Sequence, residues 1–208
     1  MNILEIRKNK SHSIERRHPW IFSGAILTET AELTDGDLVT ITDHENYFIA
    51  RGHFQHATIA VRILTFHDEE IDADFFRYRI KDAVDVRLQQ GLIREDNNIV
   101  RLVHGEGDSL PGLIVDYYAG VAVIQCHSIG MHSSLEHITA GLVSALGEKL
   151  IAVYSKSSDT LPERVDNKDG YLYGTCETPH IALENGVKFN IDWINGQKTG
   201  FFIDQRQD

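Results

Sequence analysis

The chain is poor in cysteine, has no long apolar run and contains no low-complexity segment or internal repeat. Two cysteines, Cys126 and Cys176, make a disulfide framework improbable, so reduced thiols and a cytoplasmic location are expected. No stretch approaches the roughly 20 consecutive apolar residues that span a bilayer, so no membrane partner is expected. The opening MNILEIRKNKSHSIERRHPW alternates charged and apolar residues and lacks the apolar centre of a signal peptide. Histidine is plentiful, yet only His44, His53 and His56 lie near one another, with no cysteine or acidic residue at zinc spacing. No metal site is therefore expected.

What remains is a globular composition of 208 residues, 42% hydrophobic and 25% charged, enough for one large domain or two small ones. The net charge of −11 argues at first against a nucleic-acid partner. Its distribution reverses that reading. Residues 1–24 carry Arg7, Lys8, Lys10, Arg16 and Arg17 against Glu5 and Glu15, whereas residues 68–208 hold 13 basic and 23 acidic side chains. The acid lies away from the N-terminal arm, and a local basic face survives.

Up to about residue 67 the pattern predicts short strands at Leu38–Ile41, Tyr47–Ala50 and Ile59–Leu64, separated by turns rich in Asp, Gly and Asn. Even spacing of short strands points to a small barrel. A helix follows, capped by Asp72 or Asp74, with Phe76, Ile80, Ala83, Val84 and Leu88 on one face and Gly91 at its end. Strands are then predicted near residues 99–103, 113–117 and 121–126. A single helix is predicted from Met131 to Glu148, and a strand at Lys149–Tyr154. Residues 160–180 read as loop and hairpin, and Val187, Phe189, Ile191 and Trp193 alternate as a half-buried strand. Strands, a helix, then strands indicate a mixed α+β unit rather than a doubly wound sheet.

Several stretches carry the residue types of chemistry. In RRHPWIFSGAI, two adjacent guanidinium groups suit phosphate oxygens, Trp20 offers a face for a base, and Gly24 permits close backbone approach. The competing reading is a solvated turn with Trp20 in the core. HGEGDSLPGLIVD lacks the glycine spacing of a phosphate loop, and Glu106 and Asp108 would repel phosphate. A tight turn is expected there; the rival is a small hydrolase built on His104, Glu106 and Asp108. Ser155 to Asp159 reads as a polar loop, Cys126 as a buried small hydrophobe, and Cys176 as lacking a basic neighbour. The tail NGQKTGFFIDQRQD ends in an apolar run and Asp204, a good helix cap, with one turn of residues after it.

Three segments, RRHPWIFSGAI, GEGDSLPGLIVDYYAG and ENGVKFNIDWINGQKTGFFIDQR, occur in an order and spacing that resemble the bacterial 23S ribosomal RNA large-subunit methyltransferases of the cytosine-C5 type. The resemblance runs over essentially the whole chain. It implies an α+β molecule with a PUA-like RNA-binding β pseudobarrel over residues 1–68 and a small mixed α+β domain over residues 69–184. Residues 185–208 would be the start of a Rossmann-like methyltransferase domain, absent except for its first strand. On that reading the chain is the truncated RNA-recognition portion of an S-adenosylmethionine-dependent enzyme. It binds ribosomal RNA without catalysing, holds no catalytic residue, and needs no cofactor by itself. The rival is a stand-alone PUA-type adaptor. RNA contacts are implied at Arg16, Arg17, His18, Trp20, Gly24, Arg51 and Gly52. Cofactor contacts of the full-length parent are implied at Phe201, Gln205 and Arg206. An exposed apolar tail would also favour a homodimer.

Overall fold

A computed structural model of the chain describes residues 2–8, 14, 16–162, 165 and 167–205. Five strands form the first sheet: β1 (Asn2–Glu5), β2 (Trp20–Phe22), β3 (Leu38–Thr42), β4 (Phe48–Phe54) and β5 (Ile59–Thr65). Their order is β1-β3-β4-β5-β2, with β1 parallel to β3 and every other pair antiparallel. The β3–β4 turn forms because the Asp43 carboxylate accepts the amides of Glu45 and Tyr47, each at 2.9 Å, while Asn46 takes φ +63°. Asx turns of this kind are why Asp and Asn sit at such corners. Leu4, Ile21, Val39, Ile41, Phe54, Val61 and Ile63 close the interior.

Helix α1 (Ala73–Gln89) begins where expected, because the Asp72 carboxylate accepts the Phe75 amide at 2.9 Å. It buries Phe75, Phe76, Ile80, Ala83 and Val84, and Gly91 at φ +64° ends the segment. A second five-stranded sheet follows: β6 (Ile99–His104), β7 (Leu113–Tyr118), β8 (Val121–Cys126), β9 (Ala152–Ser155) and β10 (Gly170–Tyr173), in the order β10-β9-β8-β7-β6. Ala119 and Gly120, both at positive φ, make the two-residue turn between β7 and β8. The β8–β9 pair is parallel. Its crossover is made by α2 (Ile129–Ser133) and α3 (Leu135–Leu146), a β–α–β unit. The expected single helix is broken because the Ser134 hydroxyl donates to the Gly130 carbonyl at 2.8 Å and its backbone leaves helical geometry. Helices α1 and α3 pack at Gly141, where a Cβ would lie 2.9 Å from Ile80 Cδ1.

Two more strands, β11 (His180–Glu184) and β12 (Val187–Ile191), form a hairpin about Asn185-Gly186. Ala182, Ile191 and Trp193 share a buried cluster with Ile99, Tyr118, Val121 and Val123 of the second sheet.

This architecture corrects the expected fold class. The segment taken as the first strand of an absent Rossmann-like domain is half of a hairpin whose other strand lies before residue 185, and both strands cover the second sheet. The sheet itself contains a Rossmann-like β–α–β crossover, so the fold beyond the N-terminal sheet extends well past one strand. Alternation in residues 187–193 marked the strand but carried no information about its partner. Among the described residues, no helix is long and apolar enough to cross a membrane, and no group of three or more His, Cys, Asp and Glu could hold a metal ion.

Candidate functional site

The basic segment before β2 is shaped by one residue in an uncommon conformation. Arg17 takes φ +56°, and its amide donates to the Ile14 carbonyl at 2.7 Å. The turn leaves Arg16, Arg17 and His18 exposed. It also carries the Arg17 guanidinium to 5.9 Å from the centroid of the Phe66 ring, a cation–π approach. A cleft of about 530 Å³ opens here, with Lys8, Arg17, Asp43, His44, Ile49 and Phe66 among its walls. Among the described residues neither Arg16 nor Arg17 enters an ion pair. Two cations beside an apolar, aromatic floor suit a nucleotide: phosphate on the rim, base on the floor.

The other five residues expected at an RNA surface are engaged elsewhere or lie apart. Trp20 is half-buried and its indole N–H donates to the Glu106 carboxylate at 2.7 Å, tying the first sheet to the loop after β6. His18 packs edge-on to it, and its Nδ1 accepts the Trp20 amide at 3.1 Å. Gly24 lies in a short 3-10 turn, Ser23–Ala25, with nothing within 4 Å of a notional Cβ, so no backbone approaches it. Arg51 is engaged inside its own sheet: Nη2 donates to Asp68 at 2.5 Å, Nη1 to the Glu69 carbonyl, and Nε to Thr40 at 3.3 Å. Gly52 is buried, and a Cβ there would sit 2.2 Å from the Arg62 carbonyl oxygen. Close strand approach, not ligand approach, explains that glycine.

The junction between the sheets gathers His53 and Glu106 with Arg62 and His127, two groups that sequence patterning did not single out. The ring of His53 packs so closely on α2 that a Cβ at Gly130 would lie 2.1 Å from it. Burial, with Arg62 nearby, lowers the pKa of His53 to about 4. Burial also lowers Arg62 and His127, and in both cases Glu106 opposes the shift. The rival hydrolase constellation is not assembled. Glu106 is held by Trp20, while Asp108 pairs with Arg87, one contact being 2.8 Å, and accepts the His104 amide at 2.6 Å.

The tail is anchored by a buried polar chain. Asp116, fully buried in β7, accepts two bonds from Arg101 at 2.8 and 3.0 Å and one from the Thr199 hydroxyl at 2.6 Å. Tyr118 OH lies 2.7 Å from the same hydroxyl. The hydrogen bond with Asp116 holds Arg101 above its usual pKa, and burial, then Asp116, pushes Tyr118 up. Lys156 reaches into the turn after β12, donating to the carbonyls of Trp193 at 2.6 Å, Ile194 at 3.4 Å and Gly196. Asp192 closes that turn by accepting the amides of Ile194 and Asn195 at 3.0 and 2.9 Å. The backbone bond from Asn195 is the largest cause of its lowered pKa. Ser155, Lys156 and Ser157 are thus buried structural groups, whereas Ser158 and Asp159 of the expected polar loop are exposed. An aspartate inside the apolar run Leu113–Tyr118 was the one signal that pointed to this network.

Phe201 is half-buried against Phe189, ring centroids 5.0 Å apart. Gln205 ends a short 3-10 turn, Ile203–Gln205, with Asp204 inside it. Arg206 lies outside the described residues. Cys126 is fully buried and pushed up to about 12 by burial. Cys176 is pushed up by burial and by Glu177, although His180 Nδ1 stands 3.5 Å from its sulfur. Neither thiol is set up as a nucleophile.

Residues 4–66 match the family of PUA-like domains. Over 98% of its length the chain is 39% identical to ribosomal RNA large subunit methyltransferase I of Shewanella frigidimarina, covering 52% of that protein. The protein of the same name from Aeromonas salmonicida is 38% identical over 96% of the chain, with 51% of that protein covered. Among solved structures, one described as a SAM-dependent methyltransferase from Streptococcus mutans superposes on 100% of the chain with a TM-score of 0.81 at 19% identity. Another, described as a methyltransferase complexed with SAH, gives 0.82 at 18% identity. Both likenesses cover 52% of the solved chain and extend through the second sheet and the hairpin, which completes the fold correction. The chain spans about half the length of the curated relatives it matches.

Proposed function

We propose that this chain supplies RNA recognition for an S-adenosylmethionine-dependent methylation of ribosomal RNA, at cytosine C5 of the 23S species in the full-length parent, in the cytoplasm. The observation that carries the reading is the cleft beside the Arg16–Arg17 turn: two exposed cations and Phe66 on an otherwise acidic molecule. The PUA-like match over residues 4–66 and the names of the relatives support it. Arg16 and Arg17 meet phosphate, and Phe66 with Ile49 receives a base. Trp20, His18, Gly52 and Arg51 shape or support this surface from behind it.

The chain alone does not transfer a methyl group. Carbon 5 of cytosine becomes nucleophilic only after a thiolate adds to carbon 6, and burial pushes both thiols here up. Of the tail residues implied for S-adenosylmethionine, Phe201 packs against Phe189 and Gln205 ends the 3-10 turn. The PUA-like domain, the second sheet with its hairpin and the tail act together to hold RNA in place.

Ultraviolet cross-linking of a ribosomal RNA fragment, read by peptide mass spectrometry, tests the reading. Cross-links are expected on peptides containing Arg16 to Trp20 and Phe66. Cross-links confined to the second sheet would overturn it.

A further inference from the structure

On the first sheet, away from the Arg17 cleft, a pocket of about 280 Å³ opens between the residues that follow β2 and the β4–β5 hairpin. We propose that it takes an unstacked base of single-stranded RNA, an inference that rests on the RNA-recognition reading above.

Three features of the walls carry it. First, the side-chain oxygen Oε1 of Gln55 is buried and has no hydrogen-bond partner among the described residues. An acceptor left in that state costs about 1–3 kcal/mol, so a native protein that keeps one usually has a use for it. Second, the pocket suits a neutral ring and not a phosphate. Ser23, Thr28, Phe54 and Gln55 line it, and the one titratable wall residue, His56, is committed: Nδ1 is 2.9 Å from Asp35 and Nε2 is 3.2 Å from the Thr30 carbonyl. Third, the same wall carries a hydroxyl donor. The Thr28 hydroxyl accepts the Glu5 amide at 2.9 Å, which leaves its own hydrogen available. A primary amide places acceptor and donor side by side, the complement of a base edge that carries a donor next to an acceptor.

The surroundings fit a flexible single strand. Phe22 and Leu27, sequence neighbours of the wall residues, are 45% and 48% exposed, apolar surface on which flanking bases can pack. The space beside Gly24 is empty, leaving the approach open. Ser23 lies six positions after Arg17, at most about 22 Å of chain, so one strand of RNA reaches both sites. Duplex RNA cannot offer an unstacked base edge, which makes the pocket selective for loops and ends.

The test is anisotropy of a short fluorescein-labelled single-stranded RNA, and of the same RNA in a duplex, with the full chain, Gln55→Met and Gln55→Glu. Gln55→Met is expected to weaken single-strand binding about five- to tenfold, leaving duplex binding unchanged and the thermal midpoint no lower, because an unmet acceptor is removed. Gln55→Glu keeps the shape, loses the donor and adds negative charge, so it is expected to weaken binding further. Single-strand affinity within about twofold of the unaltered protein in both variants overturns the pocket assignment but not the RNA reading. Failure of the unaltered protein to bind either RNA overturns both.

Discussion

Replacing Asp116 by Asn tests whether the tail is held by the chain of groups running through β7. The carboxylate is fully buried and takes three hydrogen bonds, two from Arg101 and one from Thr199. Asparagine keeps the shape but removes the charge, and it turns one acceptor into a donor that must face either a guanidinium or a hydroxyl. The Arg101 charge is then left without its partner. Breaking a buried pair from one side costs about 3–5 kcal/mol. For a chain of this size each kcal/mol moves the midpoint by about 2–4 °C, so a fall of about 6–20 °C is expected in a calorimetric melt. Thr199→Val should cost less, about 1–3 kcal/mol, since it removes the hydroxyl's bonds with Asp116 and Tyr118 but leaves the ion pair intact. Proteolysis should show where the loss falls: cleavage after Lys198 is expected to accelerate in both variants. An Asp116→Asn protein that melts within about 2 °C of the unaltered chain would refute the reasoning.

Other outcomes follow from the packing and the buried titratable groups. Gly130→Ala places a methyl carbon 2.1 Å from the His53 ring and should cost about 1–3 kcal/mol as the sheets separate slightly, seen as a lower midpoint. No destabilisation would show that the two units do not meet there. The pKa of His53 falls from 6.5 to about 4 on folding, so its contribution to stability is present above pH 6.5 and is lost as pH falls towards 4. At pH 5 the loss is about 2 kcal/mol, and His53→Gln should remove that part of the acid limb in urea titrations at pH 7 and pH 5. An unchanged acid limb in His53→Gln would contradict it. Iodoacetamide at pH 8 should modify Cys176 alone in the native protein, because Cys126 is fully buried with its thiol pushed up to about 12. Equal labelling of both cysteines by mass spectrometry would show that the β8 core is open.

Local chemistry made much of the fold legible. Asp72 and Gly91 bounded α1 because a cap and a left-handed glycine act within one turn. The alternation of Val39, Ile41 and Val61, Ile63 marked strands whose inner faces are buried. Long-range partners were not legible. β1 pairs in parallel with β3 across more than thirty residues, and β10 joins the edge of the second sheet, not a local hairpin. Periodicity reports which face is buried, not what covers it. At the candidate site, Arg16 and Arg17 stood out because adjacent cations have few structural uses, and both are exposed. Arg51 looked similar in sequence, yet Asp68 and Glu69, seventeen and eighteen residues away, claim it. Phe66, Lys156 and Thr199 gave no local signal, since each acts through a contact distant in sequence.

The most direct test of the central claim is the salt dependence of ribosomal RNA binding by the unaltered chain and by Arg16→Ala/Arg17→Ala. Each phosphate contact adds about −0.7 to the slope of log affinity against log salt on a single strand, so losing two contacts should flatten the slope by about 1.4. Between about 50 and 200 mM salt the unaltered protein should then lose about sevenfold more affinity than the variant. The account predicts that flattening together with weaker binding at low salt. Parallel slopes and equal affinities would contradict it.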